Sequence, residues 1–380
     1  MTTPRVTVLM TVYNGMPYLP QAVESVLKQT LTHFEFLIID DASTDGSSER
    51  VRSFKDPRIR LVRNEKNLGQ AASLNKGLAL IPSEFVARLD QDDVCLPERL
   101  MSQVDFLKAH PQAAACGSWL TWIDAQGRPL GVTGFPIQNY GSFLGILLGR
   151  ATPLAHSTVM FRRRIFEPLG GYDESYAPCE DYELWCRIAL RRMSVGIVPR
   201  PLLQVRLHDR QQSTTRLAVQ REQATRAHER LIAAFCEEEW RPDVGELLRM
   251  EPGFWDRQRT RCQVRAVCKE VGTLLFRIRV TLGLSQIEDF HVRKRLSGWL
   301  ARSVFLGILR QKRESLPVSV LACRLWGWRG IPFALLYLLC FLLSPFFSVV
   351  PIRERFARSV WWLNRQRHVA RLVWDVWRVR

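Results

Sequence analysis

The chain has 380 residues and carries 54 Lys+Arg against 37 Asp+Glu, a net charge of +17. That length holds one large domain with an appendage, or two domains. The nine cysteines are odd in number and lack CxxC or zinc spacing, so they read as reduced, mostly buried thiols of a cytosolic protein rather than a disulfide framework. The charge is uneven: residues 1–210 hold 24 basic to 22 acidic side chains and the remainder 30 to 15, so attraction to a polyanion, nucleic acid or an anionic membrane, belongs to the C-terminal portion.

Val6 to Tyr13 reads as a strand at the very start of the chain, and the N-terminus reads without a signal peptide. Leu19 to Gln29 has helical apolar spacing at Leu19, Ala22, Val23, Val26 and Leu27. Phe34 to Ile39 is nearly continuous in apolar residues, the pattern of a strand covered on both faces. A helix over 46–54, a strand at Ile59–Val62 and a helix from Gln70 to Leu80 follow, then a strand at Phe85–Leu89 and a helix from Pro97 to Ala109. This alternation predicts right-handed crossovers and a mostly parallel sheet. From 113 to 210 the pattern is mixed, with strands expected at 113–122, 157–161, 195–199 and 202–207 and helices at 139–148 and 180–192. Beyond 211 the chain reads as mainly helical.

In parallel sheets ligands bind beyond the carboxyl ends of the strands. Tyr13-Asn14-Gly15 follows the first strand, Asp40-Asp41 the second, Arg63-Asn64 the third and Asp90-Gln91-Asp92-Asp93 the fourth, so the polar clusters share one edge. Three carboxylates in four residues repel one another, and a divalent cation bridging to phosphates is one reason to keep them together. Simple preference of acids for the helix opening at Leu96-Pro97 is the plainer reading of that run.

Taken together, Val8-Leu9-Met10-Thr11-Val12-Tyr13-Asn14, Ile38 through Ser47, Asn64 through Gln70, Arg88 through Asp93 and Cys179 through Trp185 resemble the motifs of family 2 glycosyltransferases, in the family's order. The resemblance covers roughly residues 4–210. It implies an α/β GT-A fold, a Rossmann-like mostly parallel sheet with flanking helices, as a catalytic domain over 1–210, followed by a helical, basic region over 211–380. It implies an inverting, hexosyltransferase-like enzyme using Mg²⁺ or Mn²⁺ and a nucleotide-sugar donor, UDP first among the nucleotides. Thr11 and Tyr13 would meet the base, the tyrosine offering a stacking face. Asp41 would recognise uracil, whereas Asp40 would be structural; Asp-Ala-Ser-Thr-Asp-Gly is equally a good turn and cap sequence. Asn67, Gly69 and Asn75 would line a helix N-terminus near the donor. Asp90 and Asp92 match the DXD motif, with Asp92 on the metal, Asp90 nearer the ribose and Asp93 in support; His208 is a further candidate ligand, since neutral imidazole binds metals. Asp181 matches the general base, although Glu180 and Asp181 also suit a helix N-terminus. His156 falls near the acceptor, or serves the fold alone.

A sugar nucleotidyltransferase of similar fold is a competing expectation, weakened because Tyr13-Asn14-Gly15-Met16-Pro17 carries none of the basic residues such a phosphate loop needs. A nucleic-acid-binding role for the basic portion suits its arginines and aromatics. Against it stands the uncharged stretch from Gly330 to Ile352, flanked by arginines on both sides and interrupted by Pro332, Pro345 and Pro351. With the Trp- and Arg-rich tail beyond it, this stretch predicts a peripheral or monotopic association with the inner face of the cell membrane, and no nucleic-acid partner. That address in turn predicts a lipid-linked acceptor.

Overall fold

The computed structural model describes residues 4–135, 137–209, 211, 215–236, 242–249 and 261–296. The chain divides into two compact units, one of residues 1–235 with 284–292 and one of 236–283 with 293–380.

In the first unit the strands are β1 (Val6–Val12), β2 (Glu35–Asp40), β3 (Ile59–Arg63), β4 (Phe85–Leu89), β5 (Val94–Cys95), β6 (Ala113–Ile123), β7 (Pro129–Thr133), β8 (Met160–Arg162) and β9 (Ser194–Arg206). The helices between them are α1 (Leu19–Leu27), α2 (Ser47–Arg52), α3 (Gln70–Leu80), α4 (Arg99–Ala109), α5 (Tyr140–Leu148), α6 (Phe166–Leu169) and α7 (Glu180–Leu190). They build one mixed sheet in the order β3-β2-β1-β4-β8-β6-β9-β5, with β7 added to β6. The pairs β2–β3, β1–β2 and β1–β4 are parallel, as the strand–helix alternation predicts. Beyond β4 the directions mix, with β8 antiparallel to both β4 and β6 and β9 parallel to β6.

The apolar runs explain the core. Phe36, Leu37, Ile38 and Ile39 of β2 and all of β4 are buried because helices cover both faces, and α1 contributes Leu19, Ala22, Val23 and Val26 to the same core. Tight packing leaves Gly77 of α3 against Leu9, where an added Cβ would stand 2.4 Å from a leucine methyl.

Two local expectations need correction, and two strands were not expected. Residues 195–199 and 202–207 form one strand, β9, because Pro199 and Pro201 shift the register against Trp119 of β6 without ending the pairing. The strand expected at 157–161 begins at Met160; His156–Thr158 is a 3-10 turn in which Thr158 N–H donates to Ala155 at 2.9 Å. β5 and β7 had no sequence signal: one is two residues long, and the other is an exposed strand that starts at a proline.

The helix Leu217–Ala233 packs on α5 and α7 within the first unit, which therefore extends past residue 210. In the second unit the helices Pro242–Leu248 and Arg261–Thr281 pack together, the longer one burying Val267, Val271, Leu274, Leu275 and Ile278 at helical spacing. Among the described residues no helix is long and apolar enough to cross a membrane. The apolar stretch 330–352 and the tail beyond it lie outside the described residues.

Candidate active site

The carboxyl edge of the parallel strands is stitched together by its own loops. Asp45 accepts from the Met16 N–H at 2.9 Å and from Ser47, Asn14 N–H donates to Ser43 Oγ at 3.0 Å, and Gly15 N–H donates to Ser47 Oγ at 3.0 Å. Asp40 is buried beneath them, accepting from the Ser43 N–H and the Ser48 hydroxyl. Ala42 adopts a left-handed backbone (φ 62°) just after Asp41, a conformation uncommon outside glycine and a mark of over-determined turns.

Asp41 is buried and receives three donors. Asn64 Nδ2 and Leu68 N–H reach Oδ1 at 2.7 and 2.8 Å, and Gly69 N–H reaches Oδ2 at 2.8 Å. Gly69 has φ 89°, which spares the turn into α3 the strain of a side chain, and Asn67 Oδ1 accepts from the same N–H at 3.1 Å. Asn64 is itself braced by Ser73 and Lys76. Asp41 thus shapes the loop carrying Asn67 and Gly69, and one lone pair of Oδ2 remains for a further donor. Thr11 lies on β1 opposite Ile39, and Tyr13 leaves the strand half exposed. Gln91 holds that tyrosine's backbone at both ends, accepting from its N–H at 2.9 Å and donating to its carbonyl at 3.2 Å.

The acidic run occupies the end of β4. Asp92 Oδ2 lies 2.8 Å from His208 Nε2, both side chains being largely covered. The Tyr18 ring lies tilted against His208 with centroids 4.7 Å apart, and the Arg206 guanidinium sits over it at 4.7 Å. Arg206 also ties the run to β9, its N–H donating to Asp93 Oδ1 at 3.0 Å and its Nε to the Asp92 carbonyl at 3.1 Å. Asp90 is ion-paired with Arg88, and its N–H donates to Ser157 Oγ at 2.9 Å. Burial, with the charges of Asp92 and Asp90 added, pushes the Asp93 carboxyl well above the ordinary range.

Of the residues expected at the metal, Asp92 and His208 stand together and fit one, whereas Asp90 is ion-paired with Arg88. Carboxylate oxygen is a donor suited to Mg²⁺ or Mn²⁺, and neutral imidazole is a general metal ligand, better matched to Mn²⁺ than to the harder Mg²⁺. Among the described residues no three His, Cys, Asp or Glu side chains converge to hold an ion unaided. A cation here would take Asp92 and His208, with the remaining ligands supplied by a phosphate-bearing substrate.

Across from the run stands the start of α7. Burial raises the pKa of Asp181 above the ordinary aspartate value, and the nearby Asp90 charge adds to that rise while Arg88 opposes it. Asp181 Oδ1 accepts the Tyr182 N–H at 2.7 Å. Glu180 is pushed further, to about 7, by burial and then by the charge of Asp181. His156 Nε2 lies 2.9 Å from the Tyr172 hydroxyl, and burial with the Arg88 charge holds its pKa well below the ordinary imidazole value, so it is neutral. Asn75 grips the backbone of Tyr172, accepting from its N–H at 2.7 Å and donating to its carbonyl at 2.9 Å. Sequence reasoning overlooked Arg88, Gln91, Glu180 and Arg206 as parts of this site. Arg88, a charge inside an otherwise apolar strand, Gln91 and Glu180 all lie within the motif segments but were given no role there, whereas Arg206 carried no signal.

The family model described as glycosyl transferase family 2 matches residues 7–170. The amylovoran biosynthesis glycosyltransferase AmsE of Erwinia amylovora is 32% identical over 203 residues, which are 52% of this chain and 75% of AmsE. The chain belongs to glycosyltransferase family 2. The transferase is also similar to the putative glycosyltransferase EpsE of Bacillus subtilis, 34% identical over 189 residues that span 48% of this chain and 66% of EpsE. Its fold is that of the S. aureus TarS fragment 1–349 crystallised with UDP-GlcNAc, with a TM-score of 0.53 at 16% identity over 84% of this chain and 91% of that one. The fold is accordingly GT-A.

Proposed function

We propose that this transferase moves a hexosyl group from a nucleoside-diphosphate sugar, UDP-linked in the first place, to a hydroxyl acceptor with inversion at the anomeric carbon. The supporting observation is the meeting of a donor-side pair, Asp92 with His208, and a base-side acid, Asp181, close enough for the Asp90 charge to act on Asp181. Tyr13 offers its ring to the base of the nucleotide, and the loop braced by Asp41 presents Asn67 and Gly69 towards the donor. Asp90 and Asp92 receive the ribose and diphosphate side, with His208. A divalent cation bound there supplies Lewis-acid stabilisation of the departing diphosphate.

Asp181 Oδ2 takes the proton of the acceptor hydroxyl. The freed oxygen forms the new bond to the anomeric carbon while the bond to the diphosphate breaks, and one direct displacement inverts that centre. The raised pKa makes Asp181 a stronger base than a solvated aspartate, provided it is ionised. A lipid-linked acceptor, in cell-surface polysaccharide or lipopolysaccharide assembly, follows from the proposed membrane address of the basic C-terminal region.

A panel of nucleotide sugars with manganese, scored for hydrolysis and for protection against heating, tests this reading. UDP-sugars are expected to protect the wild-type protein only with the metal present, and Asp92→Ala to lose that metal dependence. No protection by any nucleotide sugar, or equal metal dependence in the variant, contradicts it.

A further inference from the structure

Arg88 sits on β4, between β1 and β8, and is 2% exposed in a strand whose other residues are Phe85, Val86, Ala87 and Leu89. A buried guanidinium costs several kcal/mol of desolvation unless it is well paired, and an apolar side chain of like volume packs there more cheaply. The backbone around it is held firmly, with Arg88 N–H donating to the Val159 carbonyl at 2.9 Å and Arg99 Nη2 donating to the Arg88 carbonyl at 2.6 Å. Its side chain points to the same face as Asp90, two residues along, and pairs with that carboxylate. On the other side its charge reaches Glu180, Asp181, Tyr172 and His156. Glu180 is 4% exposed, and its Oε2 has no hydrogen-bond partner among the described residues. One guanidinium is thus ion-paired with Asp90, in the loop after β4, and its charge acts on Glu180 and Asp181 at the start of α7.

We propose that Arg88 is a positioning residue for transfer, the shared counter-charge that orients Asp90 on the donor side and keeps the Glu180–Asp181 pair in working form on the base side. This rests on the reading of Asp92 as a donor residue and Asp181 as the base. The consequence is specific: loss of Arg88 falls on turnover. Donor binding falls far less, because Asp92 and His208 hold each other independently of Arg88 and only Asp90 loses its partner.

The test uses the full chain with Arg88→Met and Arg88→Lys. Calorimetry reads UDP binding in the presence of Mn²⁺, and UDP release reads hydrolysis of the nucleotide sugar turned over best by the wild type. Arg88→Met is expected to lower kcat by about 100-fold, the low end of what loss of a positioned base costs. The donor KM and the UDP–Mn²⁺ Kd should stay within about threefold, and Arg88→Lys should recover most of the turnover. Binding that weakens in step with kcat, or a kcat near the wild-type value, overturns the proposal. If Arg88→Met fails to fold, Arg88→Met/Glu180→Gln, which strands one carboxylate fewer, is compared with Glu180→Gln. Asp92→Ala separates the two layers: intact Mn²⁺-dependent UDP binding in that variant defeats the donor-site reading, whatever Arg88→Met does to turnover.

Discussion

Two neighbouring acids at the start of α7 are made unequal by burial. Glu180, buried and lacking a partner on Oε2, is pushed to about 7, whereas Asp181 is raised but keeps a backbone donor. Because the folded protein holds the Glu180 proton more tightly than the unfolded chain, stability is greatest below the ordinary glutamate pKa of 4.5 and falls as pH rises from there through about 7. Glu180→Gln removes that loss. Thermal unfolding at pH 8 should show the variant more stable by on the order of 2–3 kcal/mol, with the gap closing near pH 4; an unchanged gap across that range would contradict the burial of an ionising carboxyl. At this scale the sequence was informative in a particular way. It singled out Tyr13, Asp41, Asp90, Asp92 and Asp181 by motif as candidates, but the partners that surround them come from distant segments. Gln91 grips Tyr13, Asn64 braces Asp41, and Arg206 secures Asp93 from more than a hundred residues away. No local pattern encodes such pairings.

Strands and helices of the parallel half were readable because each is long enough to show its period and is ended by polar residues. α3 and β4 have the expected bounds, Gln70–Leu80 and Phe85–Leu89. The second half was harder for a physical reason. β9 bends through two prolines and reads as two strands, while β8 is three residues set after a 3-10 turn. Both matter for chemistry: β9 delivers Arg206 and leads to His208, and the turn before β8 carries His156 and Ser157. Non-local pairing, in this case β9 with β6 and β8 with β4, decides where these side chains stand.

For the whole chain the decisive property is the separation of charge. Residues 1–210 are nearly neutral and the remainder is strongly basic, with an uncharged stretch at 330–352 set among arginines. We propose that this combination holds the protein at an anionic lipid surface, by burial of apolar groups and attraction of basic ones together. Truncation from residue 325 onward should leave the protein in the supernatant when spun with vesicles containing anionic phosphatidylglycerol, whereas the full chain sediments with them. A full chain that stays in the supernatant would remove the basis for a membrane address.

The central claim is that Asp181 activates the acceptor while the donor is held elsewhere. Measuring Asp181→Asn for UDP–Mn²⁺ binding and for sugar transfer, side by side with the wild type, addresses it most directly. Transfer is expected to fall by about 100-fold or more with the Kd for UDP nearly unchanged. Retained transfer, or loss of binding together with transfer, would contradict it.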